Sequence, residues 1–312
     1  MNRRSTLTVR DVVRPATIIE ASKLSRELGA NITLVSETFQ HTGSFKFRAA
    51  FNVASQVQQT KILTASSGNF GQAIAHACAL LDKTCIVVMP DNSSAVKVAA
   101  VREYGGTVEM VNTQEKSRAQ RVKELAAEHA DAYVASAYDD SLVIAGNATL
   151  GEEICALGRH FDFVFVPVGG GGLSAGIVTG IRAAGRSFRV IAAEPLLSND
   201  AARSLRSGRL IADERESATI ADGARTLSLG ARNWAILKNG LWDIIEVPED
   251  IIEESVRMLF ALGNLKAEPT GALGLGALLA QPDRFCGKSL CCVVSGGNVD
   301  SEVYRRILSA DR

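Results

Sequence analysis

Lys46 stands out by its surroundings. It follows the small and hydroxyl residues of HTGSF and precedes the apolar helix formers of FRAA. A lysine that serves solubility sits among other charges, whereas an amine near apolar groups loses hydration and its pKa falls. Lys46 is therefore a candidate for Schiff-base chemistry. A snorkelling lysine at a helix start has the same local pattern. Three loops offer complementary chemistry. PVGGGGLSAG (167–176) sets four glycines between a strand pattern and a helix pattern. Each glycine costs entropy and adds no side chain, so packing does not explain the run. Backbone amides converging on an anion, helped by a helix dipole, do explain it, although a flexible turn is the plain alternative. The spacing fits neither G-x-x-x-x-G-K-[ST] nor G-x-G-x-x-G, so ATP hydrolysis and dinucleotide binding gain no support. SSGNFG (66–71) and SGGN (295–298) each follow a strand pattern, at the end where open α/β sheets bind ligands. Singly these are ordinary turns.

The elements that must position these loops alternate. Short apolar, β-branched runs predict strands at 32–37, 61–65, 84–89, 107–111, 132–136, 161–168, 188–194, 242–247 and 289–295. Longer stretches between them, at 71–81, 117–130 and 173–185 among others, read as helices. Strand-helix alternation with nearly continuous apolar strands predicts α/β architecture, with parallel sheets covered on both faces. No internal repeat or low-complexity linker interrupts it. A lysine suited to a Schiff base, a phosphate cradle and two further loops at strand ends together point to pyridoxal phosphate.

Whole-chain properties narrow the partners. The 34 basic and 34 acidic residues cancel, so there is no electrostatic case for nucleic acid or an anionic membrane. Hydrophobic residues make up 46% and charged residues 22%, the balance of a soluble globular protein. No apolar run reaches the ~18 residues needed to span a bilayer. The N-terminus carries basic residues without an apolar core, so no signal peptide is expected. Six cysteines lack C-x-x-C spacing and a nearby histidine pair, so we expect buried free thiols in a reducing cytoplasm and no zinc site.

HTGSFKFR, SSGNFG, PVGGGGLSAG, AAEP, ADGART, EPTGA and SGGN occur here in one order. That order resembles the fold-type II pyridoxal-phosphate enzymes of the serine/threonine dehydratase and serine racemase branch. The resemblance runs from about residue 15 to 307. It implies a tryptophan synthase β-like fold of two lobes, each an open twisted sheet flanked by helices. Residues 1–61 and 140–312 would form the large cofactor-binding lobe, and 62–139 the small one. Lys46 would carry the cofactor and act as the base that moves the α-proton. Phe45 would border the cofactor, Gly169, Gly170, Gly171, Gly172 and Leu173 would hold its phosphate, and Asn69 would bond its 3′-oxygen. Ser66, Ser67, Asn69 and Phe70 would line the substrate, with Ser67 as an acid/base on the face opposite Lys46. Ser295 would face the pyridine nitrogen. Glu194, Ser198 and Asp200 match the spacing of the family's cation site, suited to magnesium, calcium or potassium; an acidic helix cap is the alternative. Glu268, Asp222 and Arg225 fall in matching segments and read as structural groups or supports behind the site rather than catalysts. The family also implies a homodimer, and without a regulatory domain after residue 312 effector control is not expected.

The Ser295 assignment has chemical content. A nearly neutral hydroxyl does not keep the pyridine nitrogen protonated as an aspartate would, so a long-lived carbanion is disfavoured. Prompt loss of a β-leaving group suits such a site better than transamination. The expected reaction converts a β-hydroxy-α-amino acid to a 2-oxo acid and ammonia, the cofactor phosphate giving the leaving hydroxide its proton. Threonine, serine and β-phenylserine are the candidate substrates. Phe70 stands where this family often has His, and GNAT (Gly146–Thr149) where it often has GQGT. Phe70 motivates the phenylserine expectation; packing into the core is its plain alternative. Ser67 makes serine or other amino-acid racemisation the second reading. Arg118 is placed to approach a substrate carboxylate when the lobes close. A β-replacement synthase fits less well, because its phosphate loop carries threonines. A non-catalytic binding protein is disfavoured by the joint presence of Lys46, Asn69 and Ser295.

Overall fold

The computed structural model describes residues 7–66, 68–93 and 95–309. Its ten strands are β1 (Thr17–Glu20), β2 (Asn31–Ser36), β3 (Lys61–Ala65), β4 (Thr84–Pro90), β5 (Thr107–Val111), β6 (Tyr133–Ala135), β7 (Phe163–Pro167), β8 (Arg189–Pro195), β9 (Asp243–Val247) and β10 (Ser289–Val294). Helices α1 (Val9–Val12), α2 (Ser22–Leu28), α3 (Lys46–Gln56), α4 (Asn69–Leu80), α5 (Ala95–Glu103), α6 (Arg118–Glu128) and α7 (Ser141–Ala156) fill the first half. The second half holds α8 (Gly172–Ala183), α9 (Asp200–Ser207), α10 (Ala231–Leu237), α11 (Glu249–Gly263), α12 (Pro269–Ala280) and α13 (Ser301–Ser309).

Two sheets organise these elements. The larger runs β1-β2-β10-β7-β8-β9 and the smaller β5-β4-β3-β6. Every pairing is parallel except β1 with β2, which is antiparallel. β1 departs from the expectation of parallel sheets. Four residues, TIIE, reach β2 through the seven-residue α2, a connection that returns the chain in the opposite sense. β1 lies at the sheet edge, where only one neighbour is needed.

Continuous apolar runs form the central strands because both faces are covered. β7, FVFVP, is buried at all five positions. One face of the large sheet packs Phe165, Ile245 and Val294 under residues of α11 and α12. The opposite face packs Val164, Val166 and Val293 under residues of α7 and α8. The small sheet is covered likewise, by a cluster containing Phe51, Ile74 and Val101 on one side and by Val122 and Leu125 of α6 on the other. Among the described residues no helix is long and apolar enough to cross a membrane.

Candidate active site

Lys46 is the first residue of α3, and the loop before it is tied to the loop after β10. Phe45 donates its amide to the Ser295 carbonyl at 2.9 Å, and Ser44 forms an isolated antiparallel bridge with Gly296. Lys46 and buried Ser295 are thereby neighbours although the sequence separates them widely. The Lys46 Nζ donates to the Ala137 carbonyl at 2.9 Å and lies 5.0 Å and 5.9 Å from the ring centres of Phe45 and Phe70. Burial among these groups pushes its pKa down to about 8, against the opposing pull of the Glu268 carboxylate. The free amine, the form that makes a Schiff base, is then half-populated near pH 8 rather than near the ordinary 10.5.

The glycine loop joins β7 to α8, and packing does account for its composition, contrary to the sequence reading. A Cβ on Gly170 would meet the Tyr138 ring at 2.4 Å, and one on Gly169 would meet the Ala224 backbone at 2.8 Å. Gly171 caps α8 with φ at +87°, a left-handed conformation that disfavours side chains. Gly172 lies against the Tyr138 carbonyl, and its own oxygen accepts a bond from Asn147 at 3.1 Å. The result of that packing is a bare backbone at the start of a twelve-residue helix, which is the geometry an anion needs. Leu173 is buried in the first turn.

SSGNFG opens α4. The Ser66 hydroxyl accepts from the amides of Gly71 (3.1 Å) and Gly68 (3.4 Å), so it supports the helix start. Ser67, expected as acid/base and substrate contact, lies outside the described residues. Asn69 is the first residue of α4; its Nδ2 donates to Glu268 at 2.8 Å and its Oδ1 accepts from Asn298 at 2.9 Å. Phe70 is 1% exposed and packs in the cluster with Phe47 and Phe51. It offers a substrate almost no surface, so the case for a phenyl-accepting pocket loses its basis. The GNAT segment also faces inward: Asn147 supports Gly172, and Thr149 accepts from Arg48 at 3.1 Å.

The cation residues divide. Glu194 accepts from the amides of Ala201 and Ala202, both at 2.9 Å, and so caps α9. Burial, then the charge of Asp200, raises its pKa well above the ordinary range. Both oxygens of Asp200 are buried without a hydrogen-bond partner, although nearby amides of Asp200 and Leu229 moderate its pKa. The Ser198 hydroxyl bonds the Ala224 carbonyl at 3.3 Å, leaving its own carbonyl for other use. Among the described residues no group of three His, Cys, Asp or Glu is placed to hold a metal; any cation here needs carbonyl oxygens as well.

Sequence reasoning missed Tyr138, the ring beneath the glycine loop, and the Ala137 carbonyl that receives Lys46. It read Glu268 as a structural or supporting group without naming a partner; this carboxyl faces Lys46 and Asn69. Burial, then the charge of Asp222, raises Glu268 to about 8, with Asn69, Lys97 and Lys46 opposing. Nothing local in EPTGA signals that contact, since its partners lie in distant segments.

The fold and the lysine-centred site define a pyridoxal-phosphate enzyme. Residues 9–296 match the family described as pyridoxal-phosphate dependent enzymes, and the chain belongs to it. It is 37% identical to the L-threo-3-hydroxyaspartate ammonia-lyase of Pseudomonas sp. over 93% of this chain and 92% of that one. Identity to serine racemase of Schizosaccharomyces pombe is 33%, covering 94% and 91%. Among solved structures, a threonine deaminase from T.th. superposes with a TM-score of 0.88 at 36% identity, over 95% of this chain and 96% of that one.

Proposed function

We propose that this enzyme dehydrates a β-hydroxy-α-amino acid, releasing ammonia and a 2-oxo acid. The observation that carries the reading is Lys46, a partly neutral amine held one backbone bridge from Ser295. The residues fit pyridoxal phosphate: an enclosed amine, a bare glycine backbone at the α8 N-terminus, and a buried Ser44 hydroxyl without a partner two residues before Lys46. Bound pyridoxal phosphate supplies the electron sink that acidifies the α-hydrogen of an amino acid. Lys46 is the covalent anchor and then, as an amine whose pKa burial lowers to about 8, the base that removes that hydrogen. Gly169 to Gly172 and the α8 N-terminus hold the phosphate, Asn69 the 3′-oxygen, Ser295 the ring nitrogen, and Ser66, Ser67 and neighbouring amides the substrate carboxylate. A neutral hydroxyl at Ser295 favours β-elimination over reactions that need a persistent carbanion.

Relatives named for L-threo-3-hydroxyaspartate make that acid a substrate to test beside serine and threonine. Incubating purified enzyme with each, and with β-phenylserine, is expected to yield 2-oxo acid from at least one of the first three. The Lys46→Ala variant should yield none. No oxo acid from any of them overturns the reading, and a preference for β-phenylserine reinstates the Phe70 pocket. Similarity to serine racemase supports a second activity, which chiral analysis of recovered serine detects as the D-isomer.

Asp200 favours a cation at Glu194, Asp200 and the Ser198 carbonyl, since its two buried oxygens otherwise lack partners. Magnesium, calcium or potassium should raise the melting temperature by ligand linkage, and Asp200→Ala should abolish that rise. A homodimer completes the reading on resemblance, and a reducing cytoplasm on the free cysteines; sedimentation tests the dimer.

A further inference from the structure

A chain of side-chain bonds behind Lys46 fixes the orientation of Asn69. Asn298 donates from Nδ2 to the Thr42 carbonyl at 2.7 Å. A carbonyl only accepts, so that atom of Asn298 is its nitrogen. The same Nδ2 reaches the Asn69 amide at 2.9 Å, and its partner there must be the acceptor Oδ1. Gln72 Nε2 meets the same oxygen at 3.3 Å. Asn69 Nδ2 therefore points the other way, at Glu268, which accepts one of its two hydrogens at 2.8 Å. Glu268 is itself confined. It is 5% exposed and its amide donates to the Gly296 carbonyl at 3.1 Å. A Cβ on Gly296 would come within 2.6 Å of its Oε1.

We propose that Glu268 is a positioning residue that holds Asn69 so that the second Nδ2 hydrogen meets the 3′-oxygen of pyridoxal phosphate. The proposal rests on the reading of Asn69 as the 3′-oxygen partner. A 3′-oxygen held by that hydrogen keeps the cofactor–lysine link in one protonation pattern, which the visible absorption band reports. The groups facing Glu268 include Asp222, whose charge raises its pKa, and Asn69, Lys97 and Lys46, which lower it. Ionisation of the carboxyl therefore reaches the cofactor through Asn69.

The test uses pyridoxal phosphate itself, titrated into apoenzyme of wild type, Glu268→Gln, Glu268→Ala, Asn69→Ala and the double variant Glu268→Ala/Asn69→Ala. Glutamine keeps an acceptor oxygen for Asn69 but not the charge. Glu268→Ala should weaken cofactor affinity about tenfold and shift the band, while Glu268→Gln stays within about threefold of wild type. Across pH 7–9 the wild-type band should show an inflection that Glu268→Gln lacks. The double variant should bind no more weakly than Asn69→Ala alone, the mark of two residues acting as one unit. If Asn69→Ala leaves affinity and band unchanged, the reading of Asn69 fails and takes the proposal with it. If Asn69→Ala acts but the two losses add, or Glu268→Ala binds like wild type, the Glu268 proposal alone is overturned. Should Glu268→Ala not fold, the decision passes to Glu268→Met, close in volume and without an acceptor oxygen for Asn69, and wild-type affinity and band there overturn the proposal.

Discussion

Lys46 gives up its proton near pH 8, where an ordinary lysine holds one until about 10.5. A depressed lysine pKa means the neutral, nucleophilic form accumulates as pH rises through that value. Pyridoxal phosphate added to apoenzyme should therefore be captured faster from pH 7 to 9, with a midpoint near 8. Stopped-flow absorbance measures this, and a midpoint near the ordinary lysine value contradicts the enclosed-amine account. The sequence suggests single-residue chemistry where it depends on type and neighbours, as at Lys46; the roles given to Asn69 and Ser295 came with the family resemblance. Such chemistry was not readable where it depends on distant contacts. Phe70 looked like a pocket residue until the cluster around it was visible, and Glu268, read as structural or supporting, had no named partner until Asn69 and Lys46 were seen beside it.

Among elements, α3 bears the most constraint, because it begins with the reactive amine. Two residues on, Arg48 is wholly buried and bonds Glu37 through two nitrogens, each at 2.8 Å. It also bonds Glu153 of α7 at 2.6 Å and 3.0 Å. Burial pushes Arg48 toward losing its proton, but the carboxylates of Glu37 and Glu153 outweigh that and hold it charged. Burial pushes Glu37 up while Arg48 pulls it back; the two-nitrogen geometry is that of an ion pair, and we treat it as one. Arg48→Met strands the fully buried Glu37 carboxylate. It should cost about 3–5 kcal/mol of unfolding free energy by denaturant titration, far more than loss of a surface pair. Nine strands were anticipated to within two residues at each end, since continuous apolar runs give a strong signal. β1 escaped because four residues at an edge, only partly buried, carry almost none. The glycine run reads as a phosphate cradle from its place between strand and helix, but its packing against Tyr138 and Ala224 needed the fold.

At the scale of the molecule, two ion pairs join helices of the small sheet to the segment after α9. Lys97 of α5 meets Asp222 at 2.6 Å, and Arg118 of α6 meets Glu216 at 2.9 Å. All four side chains are a third or more exposed, or close to it, so such pairs contribute less than about 1 kcal/mol to stability. Arg118, which the sequence suggested for a substrate carboxylate, is thus occupied by Glu216. Glu216→Ala should leave stability within about 1 kcal/mol of wild type yet change kcat/KM several-fold for whichever β-hydroxy amino acid the enzyme turns over. Unchanged kinetics would remove Arg118 from substrate recognition.

The place of β10 has a consequence for how the enzyme matures. This last strand inserts between β2 and β7, at the middle of the larger sheet, and the Ser295 carbonyl that anchors the lysine loop follows directly from it. A nascent chain emerging from the ribosome thus carries its reactive amine long before the strand that seats it. Vitamin capture must await completion of the sheet, so the first appearance of yellow colour during synthesis or refolding times the closing of the fold rather than its beginning.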